Sequence, residues 1–309
     1  MSVSLVKEKL LAVAHSGAYS LFTPSETRAL AGQLDVFLRD HSSDKLTPLE
    51  YYDLLELQFY LTLISNEDKK AKSILDQLQD QFSSKDSQRL KLMKSIYLEA
   101  IGQSTEAIEA LKGNKDEMRL ARRMATFARK ADNNEGYIKN LVSYLDLQPL
   151  DTMAWDELSF EYSKVGAYNK SVFCLEEIVL QDPLAYQCFY KIGLNNYYWG
   201  KQLMEGLWGS SSQGQPKKEK IVTLITVLSS ARDNWLRCIE IFPKHTKSWV
   251  GIYLILNESF ILKLNKWVHI REVEQFISHS RQLTIKAEST IKKLEGISDD
   301  NTFHELISI

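Results

Sequence analysis

The residues equipped for chemistry are few and scattered. Six histidines (His15, His41, His245, His269, His279 and His304) are spread along 309 residues. None forms the HExxH pair that puts two imidazoles on one helix face for zinc. No serine sits in a nucleophile elbow, and no glycine-rich loop is built to cradle phosphates. The densest set, Asp299, Asp300, His304 and Glu305, has metal-ligand types, but it follows Gly296 in a terminal stretch expected to fray. Ligands there could not be held rigid. Cys174, Cys188 and Cys238 form no CxxC pair, and an odd number of thiols fits a reducing compartment. They read as small apolar residues inside helices. No catalytic residue, metal ligand or cofactor site is assigned, and the sequence reads as that of a protein that is not an enzyme.

Composition excludes other classes. The 38 Lys+Arg against 40 Asp+Glu give a formal net charge of -2, so no global basic field draws nucleic acid or an anionic bilayer. No apolar run reaches the ~18–20 residues of a spanning helix. Glu8 interrupts Lys7 and Lys9 ahead of the short stretch Leu10–Ala14, which argues against a signal peptide. The expectation is a cytosolic protein that meets membranes only through partners.

With chemistry absent, the elements themselves become the subject. Only 13 Gly and 6 Pro stand against 25% charged residues, a mixture suited to long helices. Thr23-Pro24-Ser25-Glu26 and Thr47-Pro48-Leu49-Glu50 both carry a capping Thr, a Pro at the first helical position and a Glu that reaches back to the cap. Leu46 and Tyr51 are spaced as a hydrophobic staple around the second. Helical periodicity predicts antiparallel helices over 24–40, 48–65, 67–82, 86–101, 104–112, 116–131, 134–147, 152–165, 168–181, 184–205, 217–242, 245–264 and 267–295. The Gly/Ser-rich stretch 206–216 reads as an inserted loop.

Internal repetition then selects the fold. Trp155, Leu158, Ser159, Tyr162, Ser171, Leu175 and Pro183 follow the tetratricopeptide pattern, with Gly166 at the turn. Pro149 and Pro183 lie 34 residues apart (183 − 149), as do Trp155 and Phe189 (189 − 155). After the loop the spacing resumes with Ala231, Trp235, Cys238 and Pro243. Trp249 then follows Pro243 by the same six residues that separate Trp155 from Pro149. Gly102, Ala107 and Leu111 look like a weaker copy. The expectation is an all-α superhelix of antiparallel helix pairs in one domain, 1–309. It divides into degenerate helices over 1–115, repeat units over 116–265, and a capping helix with a tail over 266–309.

Such a solenoid presents the first helix of each pair on a concave face. The positions beside the packing stripe are Met153, Asp156, Phe160 and Ser163, then Gln187, Tyr190, Leu194 and Tyr197, then Lys247, Val250 and Leu254. Asp156, Phe160, Tyr190 and Tyr197 are singled out as partner-binding, because exposed aromatics favour an extended peptide or a helix. The alternative for Phe160, Leu194 and Leu254 is simple core. Asp156, Phe160 and Tyr190 stand where chaperone adaptors place cations for a C-terminal carboxylate, so that ligand is disfavoured. Within the basic stretch 112–130, Arg119, Arg122 and Arg123 share a helix face. They read either as a solvated face or as a docking patch for an acidic segment or lipid headgroups.

One stretch is more particular than a generic repeat. Ala154-Trp155, Glu157-Leu158, Tyr162, Tyr168, Lys170, Phe173-Cys174-Leu175-Glu176-Glu177 and Pro183 resemble the central unit of the ER membrane protein complex subunit 2 family, over about residues 145–190. That resemblance implies a non-catalytic scaffold, peripheral on the cytoplasmic face of the endoplasmic reticulum. Its partners would be other subunits and the cytosolic segments of the membrane subunits, organised for insertion of tail-anchored and multipass proteins. The rival readings are a free-standing peptide-binding adaptor in the cytosol and a helical subunit lending a surface to a catalytic partner.

Overall fold

The structure is a computed structural model that describes residues 3–41, 46–82, 87–112, 117–130, 133–209, 218–256, 263–297 and 302–303. All regular structure among them is helical, and the chain divides into two compact units, 1–140 and 141–309.

The first unit opens with α1 (Val3–Ser16), a 3-10 turn at Ala18–Leu21, α2 (Pro24–His41), α3 (Pro48–Ile64), α4 (Asp68–Phe82) and α5 (Gln88–Ala100). It continues through α6 (Ser104–Glu109) and α7 (Met118–Lys130) into the start of α8 (Asn134–Leu147). Helix α1 is an element that sequence reasoning left unassigned. Val3, Val6, Leu10 and Val13 form its apolar stripe, with Leu10 fully buried. Lys7 Nζ pairs with Glu50 at 2.8 Å. Both Thr-Pro starts behave as their chemistry demands. Thr47 N donates to Glu50 Oε2 at 2.8 Å while Glu50 N donates to Thr47 Oγ1 at 3.3 Å, and Thr23 and Glu26 repeat the exchange. These contacts lower the carboxyl pKa of Glu26, chiefly through the Thr23 N–H, and of Glu50, chiefly through Lys7. Leu46 and Tyr51 pack against the same apolar cluster.

The second unit continues α8 from Leu141 and adds α9 (Thr152–Lys164), α10 (Tyr168–Gln181), α11 (Tyr186–Gly209), α12 (Lys218–Ile241), α13 (Thr246–Leu254) and α14 (Arg271–Glu295). The tetratricopeptide register holds here at the level of single bonds. Trp155 Nε1 donates to Pro149 O at 2.8 Å, and Trp249 Nε1 donates to Pro243 O at 3.0 Å. Two repeats thus close the same six-residue clasp. Where the pattern asks for small residues, Ser159 and Ser171 meet across α9 and α10 at 2.9 Å, both buried. In the next pair the wedge is Trp235, only 1% exposed, lodged between α11 and α13. A Cβ on Gly193 would stand 2.4 Å from its ring, and one on Gly251 2.6 Å. Both helices approach the indole because those positions lack side chains.

The pair turns also repeat, and further than the residue types advertised. Between α9 and α10, Gly166 has φ +73° and Ala167 N donates to Tyr162 O at 2.9 Å. Between α5 and α6, Gly102 has φ +84° and Gln103 N donates to Leu98 O at 2.8 Å. Between α3 and α4, Asn66 takes φ +59° and Glu67 N donates to Thr62 O at 2.9 Å. This is one helix-ending device in three pair turns, with Asn tolerated in the left-handed well. Two turns within residues 1–115, degenerate in sequence, therefore share the device of the α9–α10 pair.

Some boundaries differ from expectation. Helix α6 ends at Glu109, α13 stops at Leu254, and a 3-10 turn at Asn265–Trp267 precedes α14. Helix α11 runs on to Gly209, so the expected loop starts later than 206. Its residues 210–216 lie outside the described residues, as do Asp299, Asp300, His304 and Glu305.

Candidate docking surface

Helices α11, α12 and α13, with the end of α14, enclose an open cleft of about 650 Å³. Six of the residues named from spacing line it together: Tyr190, Leu194, Tyr197, Lys247, Val250 and Leu254. One stripe comes from α11 and the other from α13, the first helices of successive pairs, with Trp235 of α12 as the floor between them.

The four singled-out residues fare differently. Tyr190 is half-buried, its ring 4.9 Å from that of His245. Tyr197 is 6% exposed and belongs to the core, tilted against Trp235 at 5.9 Å. Burial, with Tyr198 beside it, pushes its phenol up to about 12. Asp156 does not face this cleft. It is ion-paired to Lys191, which ties α9 to α11. Phe160 is 60% exposed on α9 with Lys164 Nζ 4.5 Å above its ring, so it is a surface residue and not core.

Two of the three arginines differ in their surroundings. Arg119 is exposed on α7, whereas Arg123 is paired with Glu99 of α5 and stacks 4.7 Å over Phe127. Arg123 is a tie between helices, and spacing on one helix cannot reveal a carboxylate on another.

Sequence reasoning missed Tyr198, Phe242, Lys244 and His245 in the cleft. Lys244 and Lys247 are exposed and have no ion-pair partner among the described residues. His245 stands two residues after Pro243, as Asp151 stands after Pro149, and both cap a helix. Ala154 N donates to Asp151 Oδ1 at 3.1 Å, and Ser248 N donates to His245 Nδ1 at 3.3 Å. Burial, helped by the Lys247 charge, lowers the imidazole pKa, consistent with an unprotonated Nδ1 as acceptor. That equivalence was the available signal.

Burial raises the pKa of Cys174 to about 12 and also raises those of Cys188 and Cys238, so the thiols stay protonated. Among the described residues no group of His, Cys, Asp and Glu could hold a metal ion, and no helix is long and apolar enough to cross a membrane.

No family model matches the chain. The crystal structure of MamA shares 12% identity with a TM-score of 0.35, covering 64% of this chain and 96% of that one. A fission yeast (Schizosaccharomyces pombe) protein named TPR repeat protein oca3 is 28% identical over 47% of this chain and 52% of its own. ER membrane protein complex subunit 2 of Saccharomyces cerevisiae is 27% identical over 271 residues, 84% of this chain and 87% of that protein. The likeness carried by Trp155, Leu158 and Cys174-Leu175-Glu176-Glu177 therefore extends far beyond one repeat, and over most of its length this chain is similar to subunit 2 of the ER membrane protein complex.

Proposed function

We propose that the chain is a non-catalytic scaffold subunit of an ER membrane protein complex. It sits on the cytosolic face and organises cytosolic segments of membrane subunits for insertion of tail-anchored and multipass proteins. The observation that carries this reading is the similarity to the yeast subunit over 84% of the chain. The cleft between α11 and α13 supplies the means: an aromatic and aliphatic trough whose rim carries two lysines without an ion pair among the described residues, suited to an amphipathic segment.

The test is affinity purification of the tagged full chain from detergent-solubilised membranes. A stable set of membrane subunits is expected, and Lys244→Glu with Lys247→Glu should weaken their retention. Recovery wholly in the soluble fraction, free of membrane proteins, would overturn the reading in favour of a free-standing adaptor.

A further inference from the structure

A second groove, of about 750 Å³, lies apart from that cleft, between the last turns of α8 and the helices α9 and α10. Its floor is apolar and fixed in advance. Trp155 is held by its bond to Pro149 O, and Phe173 stands edge-on to it with ring centroids 6.1 Å apart. The Cys174 thiol in the floor remains neutral. Phe173 is nevertheless 54% exposed and Val142 37%, so the walls carry apolar surface left open by the described residues of the second unit.

The rim is acidic. Asp146 and Glu177 line the groove, and Glu176, next to Glu177 in the chain, feels the Glu177 charge. Some carboxylates of this unit find cations, as in Asp156–Lys191, Glu161–Lys164, Glu240–Arg237 and Glu288–Lys292. Asp146, Glu176 and Glu177 have no ion pair among the described residues. The one lysine of the groove, Lys170, sits 5.4 Å over the Tyr162 ring instead. Burial, and then the neighbouring Glu177 charge, raises the pKa of the Glu176 carboxyl, a penalty an incoming cation would relieve.

We propose that this groove takes a basic, apolar-tipped segment of a partner protein, with an aliphatic or aromatic side chain seated against Phe173 and Val142 and Lys or Arg residues meeting Asp146, Glu176 and Glu177. A hydrophobic anchor inside a charged rim is the usual division of labour at a small interface, where the anchor supplies affinity and the rim supplies choice of partner. The balance of charge differs from that of the first cleft, where Lys244 and Lys247 outnumber Glu295, so the two sites select different segments.

Photo-cross-linking in cells tests this directly, using the full chain with Phe173→p-benzoylphenylalanine. The expected result is a dominant adduct with a protein segment carrying at least two Lys or Arg residues around an apolar residue. A synthetic peptide of that segment should bind the purified chain and lose about tenfold or more in affinity on Asp146→Lys with Glu177→Lys. Lys244→Glu with Lys247→Glu should leave that affinity unchanged, which separates this site from the cleft. Far-UV circular dichroism checks that each variant is folded. No adduct, an adduct with lipid or with a second copy of this chain, a segment without basic residues, or an affinity indifferent to the charge reversal would each overturn the proposal.

Discussion

His245 links helix capping to proton concentration. Its Nδ1 accepts the Ser248 N–H and lies 2.8 Å from the buried Ser248 hydroxyl. A proton on Nδ1 would put a donor against a donor. Because the folded pKa is lowered, the folded state binds fewer protons than the unfolded chain through the range just below the ordinary histidine value. The capping contribution is therefore complete above that ordinary value and is lost as pH falls through the lowered one. The second unit should melt at progressively lower temperature between about pH 7 and pH 5, where unfolded histidine (~6.5) takes up its proton. In His245→Asn, which caps without titrating, the slope should be visibly flatter. Equal slopes in melts of the two proteins would remove His245 from the account.

At the scale of elements, the three left-handed turns make a graded series. Gly166 accepts φ +73° without steric cost, so Gly166→Ala should destabilise the α9–α10 pair by about 1–2 kcal/mol. At Asn66 the same substitution starts from a residue already strained, and Asn66→Ala should cost less than Gly166→Ala; urea titration of both variants makes the comparison. This series also shows what the chain disclosed and what it hid. Trp155, Pro183 and the 34-residue spacing announced the repeat because large wedges and prolines are rare enough to carry a period. The α3–α4 pair went unrecognised as a repeat because its turn is signalled only by Asn66, and its packing relies on Leu54, Leu57, Ile74 and Leu75, aliphatics common to any helix. Six of the fourteen residues lining the cleft were readable from the stripe on each first helix. Its rim was not, since Lys244 and His245 lie in a connection, and the Asp146–Glu177 groove depends on which helices flank it.

For the whole molecule, the distribution of indoles offers an unusual probe. All six tryptophans, Trp155, Trp199, Trp208, Trp235, Trp249 and Trp267, fall in the second unit, while helical backbone occurs in both. Tryptophan fluorescence therefore follows residues 141–309, and far-UV circular dichroism follows everything. Thr47→Ala removes one half of the α3 capping box and should cost about 1 kcal/mol. If the units unfold separately, the dichroism melt shifts and the fluorescence midpoint stays where it was. A joint shift would mean that 1–309 behaves as one cooperative block, the single-domain expectation drawn from the sequence.

The Trp235 wedge, closed on by Gly193 and Gly251, also constrains the order in which this protein can change over generations. Either glycine can gain a carbon only after the indole has given way to something smaller. Gly193→Ala alone should be severely destabilising, whereas Gly193→Ala in a Trp235→Leu background should add little further loss. A saturation library at the three positions, sorted for folded protein, would then show survivors on one mutational route and a gap where the reverse route would run. If alanine at position 193 proved equally tolerable in both backgrounds, the three residues would be independent, and history would be free to alter them in any sequence.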